Sequence, residues 1–205
     1  MKKLWVFGDS FSIPFSSDFP WCQEYCKFKG YVPKTYGEII AQKLNLELHN
    51  HSVGGCDNNT IIEKFTNNCL DINPRDIVIV GWTSPYRFRL YSEKIDTWQI
   101  VSPTPTPLHL NFEMISKQTI EEILVNRGNQ IYVEELNNWE KLLSFSLIGT
   151  NHFFWRWSEM MGRKQIQSIY EETNGLIQDS HYSENGHAII SEIAIEYLNL
   201  NNKLT

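Results

Sequence analysis

Short apolar runs that stop at glycine alternate along this chain with longer stretches of helical periodicity. Leu4-Trp5-Val6-Phe7 is stopped by Gly8, and Ile77-Val78-Ile79-Val80 by Gly81. Runs that are apolar at every position, with β-branched and aromatic members, read as strands buried on both faces of a parallel sheet. Another strand is predicted over about Glu47 to Val53, ending in Gly54-Gly55, and an aromatic one over His152-Phe153-Phe154-Trp155-Arg156-Trp157. Between them, Ile39, Ile40, Ala41 and Leu44 form one face of a helix, with Thr35 as N-cap and Glu38 three residues later. Asp57 opens a helix carrying Ile61, Ile62, Phe65 and Leu70, and Ala188, Ile189, Ile190, Ile193 and Ala194 mark a closing helix. Strands alternating with helices predict βαβ units, right-handed crossovers and a three-layer α/β/α sandwich about a mostly parallel sheet.

Two stretches break the alternation. Residues 11 to 34 hold Phe11, Phe15, Phe19, Trp21, Tyr25, Phe28 and Tyr31 among Pro14, Pro20, Gly30 and Pro33, which predicts a long aromatic loop. Its rings fit either a stacking platform for a sugar or a loop packing its own aromatics against the sheet. From 86 to 148 the pattern predicts a hairpin over Tyr91 to Val101, a polyproline-like connector through Pro107, a helix over 111 to 127 closed by Gly128, and a second helix over about 131 to 145. The second helix is expected to put Val133, Leu136, Trp139, Leu142 and Leu143 on one side. This region reads as an insertion, either a cap or an interface, in one domain spanning residues 1–205.

With 24 acidic and 18 basic residues, net charge −6, the chain lacks the basic surface that duplex nucleic acid demands. Met1-Lys2-Lys3 precedes an apolar run shorter than the roughly 7–15 residues of a secretory core, and no run approaches the roughly 20 of a membrane span. The expectation is a soluble cytoplasmic protein with neither nucleic acid nor membrane as partner; a protein released by lysis or carried in a virus particle fits the same pattern. Cys22, Cys26, Cys56 and Cys69 then read as reduced thiols. Cys22 and Cys26 have no second close pair to complete a zinc site, so neither a metal nor a cofactor is expected.

The candidate chemistry lies at the predicted strand ends. Gly8-Asp9-Ser10 would stand at the carboxyl end of a central strand, where open α/β sheets place their ligand crevice; capping of the next helix is the other role that fits. Gly54-Gly55, between a strand and a helix, would offer backbone N–H groups to an oxyanion, or serve only as a tight turn. Asp179 and His181, two apart in an extended segment, lie on one face, so the carboxylate can reach one ring nitrogen. That is half of a hydrolase triad, though a surface loop ahead of the last helix also fits.

Taken in order, Gly8-Asp9-Ser10, Asn50-His51-Ser52-Val53-Gly54-Gly55, Gly81-Trp82-Thr83 and Asp179-Ser180-His181 resemble the four blocks of the SGNH, or GDSL-type, hydrolases. The resemblance implies a flavodoxin-like α/β/α fold and ester hydrolysis through an acyl-enzyme. Ser10 would be the nucleophile, His181 the base and then acid, and Asp179 the residue fixing the imidazole tautomer. The oxyanion donors would be the backbone N–H groups of Ser10 and Gly55 and the side chain at the position of Thr83. Asp9, Trp82 and Arg87 are the candidate substrate-binding residues beside them. Two departures stand out: Thr83 occupies the family's asparagine position, and the acid and histidine are spaced Asp-x-His rather than the commoner Asp-x-x-His. A weaker hole, a replacement donor such as Ser84 or Arg87, or no activity are the alternatives Thr83 leaves, and His187 is the competing base. The function expected is a serine esterase acting on small acyl esters, including acetyl groups on carbohydrate. The alternative is an idle binding module for a glycan or protein partner.

Overall fold

A computed structural model describes residues 1–16, 19–92, 96–101, 117–156, 160, 163 and 165–200. Four strands, β1 (Lys3–Gly8), β2 (Glu47–Asn50), β3 (Ile77–Trp82) and β6 (Asn151–Arg156), form a parallel sheet in the order β2-β1-β3-β6. β4 (Phe88–Ser92) and β5 (Thr97–Val101) pair antiparallel as a separate hairpin. The helices are α1 (Pro20–Lys29), α2 (Tyr36–Lys43), α3 (Asn58–Asn68), α4 (Lys117–Ser146), α5 (Ile169–Glu172) and α6 (Glu184–Leu200). The molecule is thus a mixed α/β protein around a parallel sheet.

The sheet sorts its side chains by strict alternation. Leu4, Val6, Ile77, Ile79, Phe153 and Trp155 share one cluster with Tyr36 and Ile40 of α2 and Ile190, Ala194 and Leu198 of α6. Trp5, Phe7, Val78, Val80 and Trp82 share the other with Ile61 and Phe65 of α3 and Leu136 and Leu143 of α4. Every residue of β3 is buried, as a strand covered by helices on both faces must be.

The expected helix starts form. The backbone N–H of Thr35 donates to the Glu38 carboxylate at 2.9 Å, and Asp57 caps α3 by accepting from the Thr60 N–H at 2.9 Å. β2 stops at Asn50 rather than Val53, although the N–H groups of His51 and Val53 still reach the carbonyls of Val6 and Gly8 on β1, at 2.8 and 2.9 Å.

Three expectations are corrected. Residues 20 to 29 are helical: Pro20 supplies a fixed φ at the first turn, and Gly30, at φ +78°, closes the helix in the left-handed region. Of the rings in that stretch, Phe15 and Tyr25 form a small core with Cys22, Ile169 and Ile177 rather than lying on the sheet, Phe11 joins the sheet's own cluster, and Phe28 and Tyr31 stay about half exposed. The region after 116 is one helix, not two. A single glycine costs only about 1 kcal/mol within a helix, too little for Gly128 to end one that runs on through Ser146 and buries Leu136 and Leu143. Leu136 and Leu143 face the sheet, but Val133 and Leu142 face solvent. The expected connector over 102 to 107 and the positions of residues 111–116 and Trp157 lie outside the described residues.

Candidate active site

The chain runs from β1 out to β2, then returns past β1 to β3 and on to β6. The strand order therefore reverses between β1 and β3, and the crevice outside their carboxyl ends is where such sheets bind ligands. Asp9 and Ser10 reach that point from β1, and Thr83 reaches it from β3.

Beyond β1 the chain turns at once. The Ser12 N–H donates to the carbonyl of Asp9 at 2.9 Å, and the Phe11 N–H donates to Asp9 Oδ1 at 3.0 Å, an Asx turn. Ser12 lies buried beneath the turn: its Oγ accepts from the Tyr36 hydroxyl at 2.9 Å and its carbonyl from Asn50 Nδ2 at 2.8 Å. Gly8 and Gly81 are register partners, and a Cβ at Gly81 would come within 2.8 Å of Ser12 Oγ and 2.7 Å of the Trp155 ring. Two glycines let the turn settle onto the strand ends, and Ser10, its second residue, stays partly exposed.

The second constellation comes from residues 167 to 183, where two segments run antiparallel. The N–H groups of Ile169 and Tyr170 donate to the carbonyls of His181 and Asp179 at 2.7 and 2.8 Å, and the Ser183 N–H donates to that of Gln167 at 3.0 Å. Held so, Asp179 Oδ1 lies 2.6 Å from His181 Nδ1 and accepts from the His181 backbone N–H at 2.7 Å. Burial pushes the Asp179 carboxyl up, but the hydrogen bonds and charge of His181 outweigh that and hold it below the usual carboxylate range. An ionised carboxylate only accepts, so Nδ1 carries the proton, and a neutral ring then offers Nε2 as a base.

The His181 ring packs against Phe11, centroids 4.7 Å apart, which brings it to the residue next to Ser10. α1 anchors the loop that carries it. The Tyr25 hydroxyl donates to Glu172 and accepts from the Glu184 N–H at 2.8 Å, while Lys29 Nζ reaches Glu172 at 3.3 Å and Glu184 at 2.8 Å.

A third group lies behind Ser10. The Asp9 carboxylate is 1% exposed, and burial raises its pKa against the pull of the Thr83 hydroxyl, Arg87 and the Phe11 N–H. Arg87 Nη1 donates to Thr83 Oγ1 at 2.9 Å and stands 3.4 Å from both Asp9 Oδ2 and the carbonyl of Cys56. The Asn58 amide brackets Thr83, with Oδ1 accepting from its N–H at 3.0 Å and Nδ2 donating to its carbonyl at 3.3 Å. Gly55 takes φ +69° in the turn after β2, a conformation that a side chain resists.

Two of the expected substrate contacts are corrected. Trp82 is fully buried, because alternation along β3 turns its ring into the core beside Phe154, 6.3 Å between centroids. Asp9 faces inward, where it organises the turn and meets Arg87. His187, the competing base, is also a core residue, packed among Phe15, Tyr36 and Tyr182, and burial holds its pKa down to about 3. Sequence reasoning missed Asn58, Tyr36 and Tyr25. Their partners are 24 to 159 residues away in the chain, beyond any local signal except that Asn58 follows the helix cap.

Among the described residues, no group of three His, Cys, Asp or Glu side chains could hold a metal ion, and no helix is long and apolar enough to cross a membrane. No protein-family model matches the chain, and no curated protein does. Among solved structures, it is similar to a provisionally assigned lipolytic protein of the G-D-S-L family from Desulfitobacterium hafniense DCB-2. The identity is 12% and the TM-score 0.41, over 96% of this chain and 99% of that one.

Proposed function

We propose that this chain is a serine esterase of the SGNH type, with the family's three-layer flavodoxin-like architecture, acting on small acyl esters. The observation that carries the reading is the Asp179–His181 pair, 2.6 Å apart, with its imidazole packed on Phe11 beside Ser10. A serine hydroxyl is inert at neutral pH unless a positioned base takes its proton. In this reading Ser10 Oγ attacks the acyl carbon as its proton passes to His181 Nε2, and the carbonyl electron pair moves onto oxygen. Collapse of that tetrahedral species breaks the bond to the alcohol oxygen, which takes the proton from His181 and leaves. Water, deprotonated by the same nitrogen, then releases the acid. Asp179 holds the ring in the tautomer each step needs. The backbone N–H groups of Ser10 and Gly55 are the proposed oxyanion donors.

The acyl ester is taken as small, with O-acetyl groups on carbohydrate as the first natural class to test. Phe11, Phe15 and Tyr25 are used inside the fold, so they offer no stacking platform for the sugar. A second reading, an idle binding module, draws on Thr83: its side chain is 1% exposed and already accepts from Arg87.

The test is p-nitrophenyl acetate hydrolysis by the protein and its Ser10→Ala variant across pH 5 to 9. The expected outcome is turnover that vanishes in the variant and falls on the acid side as the imidazole takes up a proton. Equal inertness of both proteins towards this ester, longer esters and thioesters would sink the esterase and leave the binding module.

A further inference from the structure

We infer that Arg87, rather than Thr83, is the third oxyanion donor of this site. The inference rests on the esterase reading and assigns a role within it. Three observations point to Arg87.

The first is position. Nη1 lies 2.9 Å from Thr83 Oγ1 and 3.4 Å from both Asp9 Oδ2 and the Cys56 carbonyl. Asp9 precedes Ser10, and Cys56 follows Gly55. One guanidinium nitrogen therefore touches the ends of all three segments that would surround a developing oxyanion, one contact with each.

The second is the state of Thr83. Its hydroxyl is buried, its oxygen already accepts from Arg87, and the Asp9 carboxylate is the acceptor beside it. A hydroxyl has one proton to give. The side chain is also too short to replace an asparagine amide, and the Asn58 amide that brackets it is occupied at both ends by the Thr83 backbone.

The third is spare capacity. A guanidinium carries five N–H donors, and Arg87 makes its bonds through Nη1 alone among the described residues. With the side chain 21% exposed, Nε and Nη2 keep donors for a ligand. The Asp9 contact is long at 3.4 Å, so it orients the guanidinium more than it consumes it. When the carbonyl electron pair moves onto oxygen, Arg87 offers that oxygen a charged donor already in place, at no cost in reorganisation.

The competing role is neutralisation of buried Asp9, and a double variant separates the two. Steady-state hydrolysis of p-nitrophenyl acetate is measured for the wild type, Ser10→Ala, Arg87→Ala, Arg87→Lys and Asp9→Asn/Arg87→Ala, with circular dichroism of each. Asparagine keeps the acceptor for the Phe11 N–H and removes the charge. The expected result is a fall in kcat of about 10²–10³ for Arg87→Ala, with KM within a few-fold, because the donor acts only in the transition state. The double variant stays equally low, and Arg87→Lys, which keeps a charge without the fork, recovers part of the loss. Wild-type kcat in Arg87→Ala, or its return in the double variant, overturns the assignment while the esterase stands. Absence of Ser10-dependent turnover in the wild type overturns the esterase, and this inference with it.

Discussion

Asp179 accepts two hydrogen bonds on one oxygen, from the His181 ring and from the His181 backbone, and so sets both the tautomer and the angle of that ring. Asp179→Asn keeps the shape and removes the charge. An amide can donate to Nδ1, which would move the ring proton to Nε2, where a base is needed. Under the esterase reading, kcat towards p-nitrophenyl acetate is expected to fall by about 10³–10⁴, the scale of a wrong tautomer in serine proteases. A variant with native circular dichroism and wild-type kcat would remove Asp179 from the triad. The Asp-x-His pair was legible in the sequence because its chemistry is local: two residues in an extended segment share a face. Trp82 was misread for the opposite reason. Its neighbours Gly81 and Thr83 mark a strand end, and alternation puts its ring on the face of Val78 and Val80, but that this face is still covered at the last residue of β3 depends on the distant Ile61, Phe65, Leu136 and Leu143.

At the level of elements, β1 and β3 are joined at their carboxyl ends by a pair of glycines in register, and β6 supplies the ring that covers one of them. A methyl group at Gly81 would stand 2.7 Å from Trp155, a side chain 2% exposed and hemmed in by Tyr36 and Tyr182, so the ring has no room to yield. Gly81→Ala is therefore expected to cost about 1–3 kcal/mol, read as a lower urea midpoint. It should also tilt the turn carrying Ser10, since Ser12 Oγ is the other atom struck, at 2.8 Å. An unchanged midpoint would mean that Trp155 is loosely held. The strands were legible here because a run of four apolar residues closed by glycine has few other uses. α1 was not, since Pro20 and Gly30, among the aromatics of 11 to 34, read as breakers of a loop rather than as the two ends of a helix. α4 was divided at Gly128 because a glycine that ends one helix and a glycine tolerated within another look alike until the neighbouring turns are seen to continue.

Across the whole molecule, the segments that assemble around Ser10 rest on a layer of buried aromatic rings, and His187 is the one titratable imidazole inside it among the described residues. It sits in the first turns of α6, 3% exposed, its ring 5.5 to 6.0 Å from those of Phe15, Tyr36 and Tyr182, and its Nδ1 has no hydrogen-bond partner among the described residues. Burial first, and the charge of His181 second, lower its pKa from 6.5 to about 3. Between those two values the unfolded chain holds a proton on this ring that the folded chain refuses. The share of stability that His187 controls therefore falls as pH drops from 6.5 towards 3, by about 2–3 kcal/mol at pH 4.5. Asp179, held below its usual range, adds its own loss only below about 3.8, and buried Asp9, whose pKa is raised, works in the opposite direction as it takes up a proton. His187→Phe removes the imidazole and keeps a ring among rings; whatever it costs in packing is the same at every pH. Urea unfolding at pH 7 and pH 4.5 should show the wild type losing about 2–3 kcal/mol more than the variant between the two conditions. Equal losses would mean that the ring charges in place, with the layer under the Ser10 turn open enough to water to solvate it.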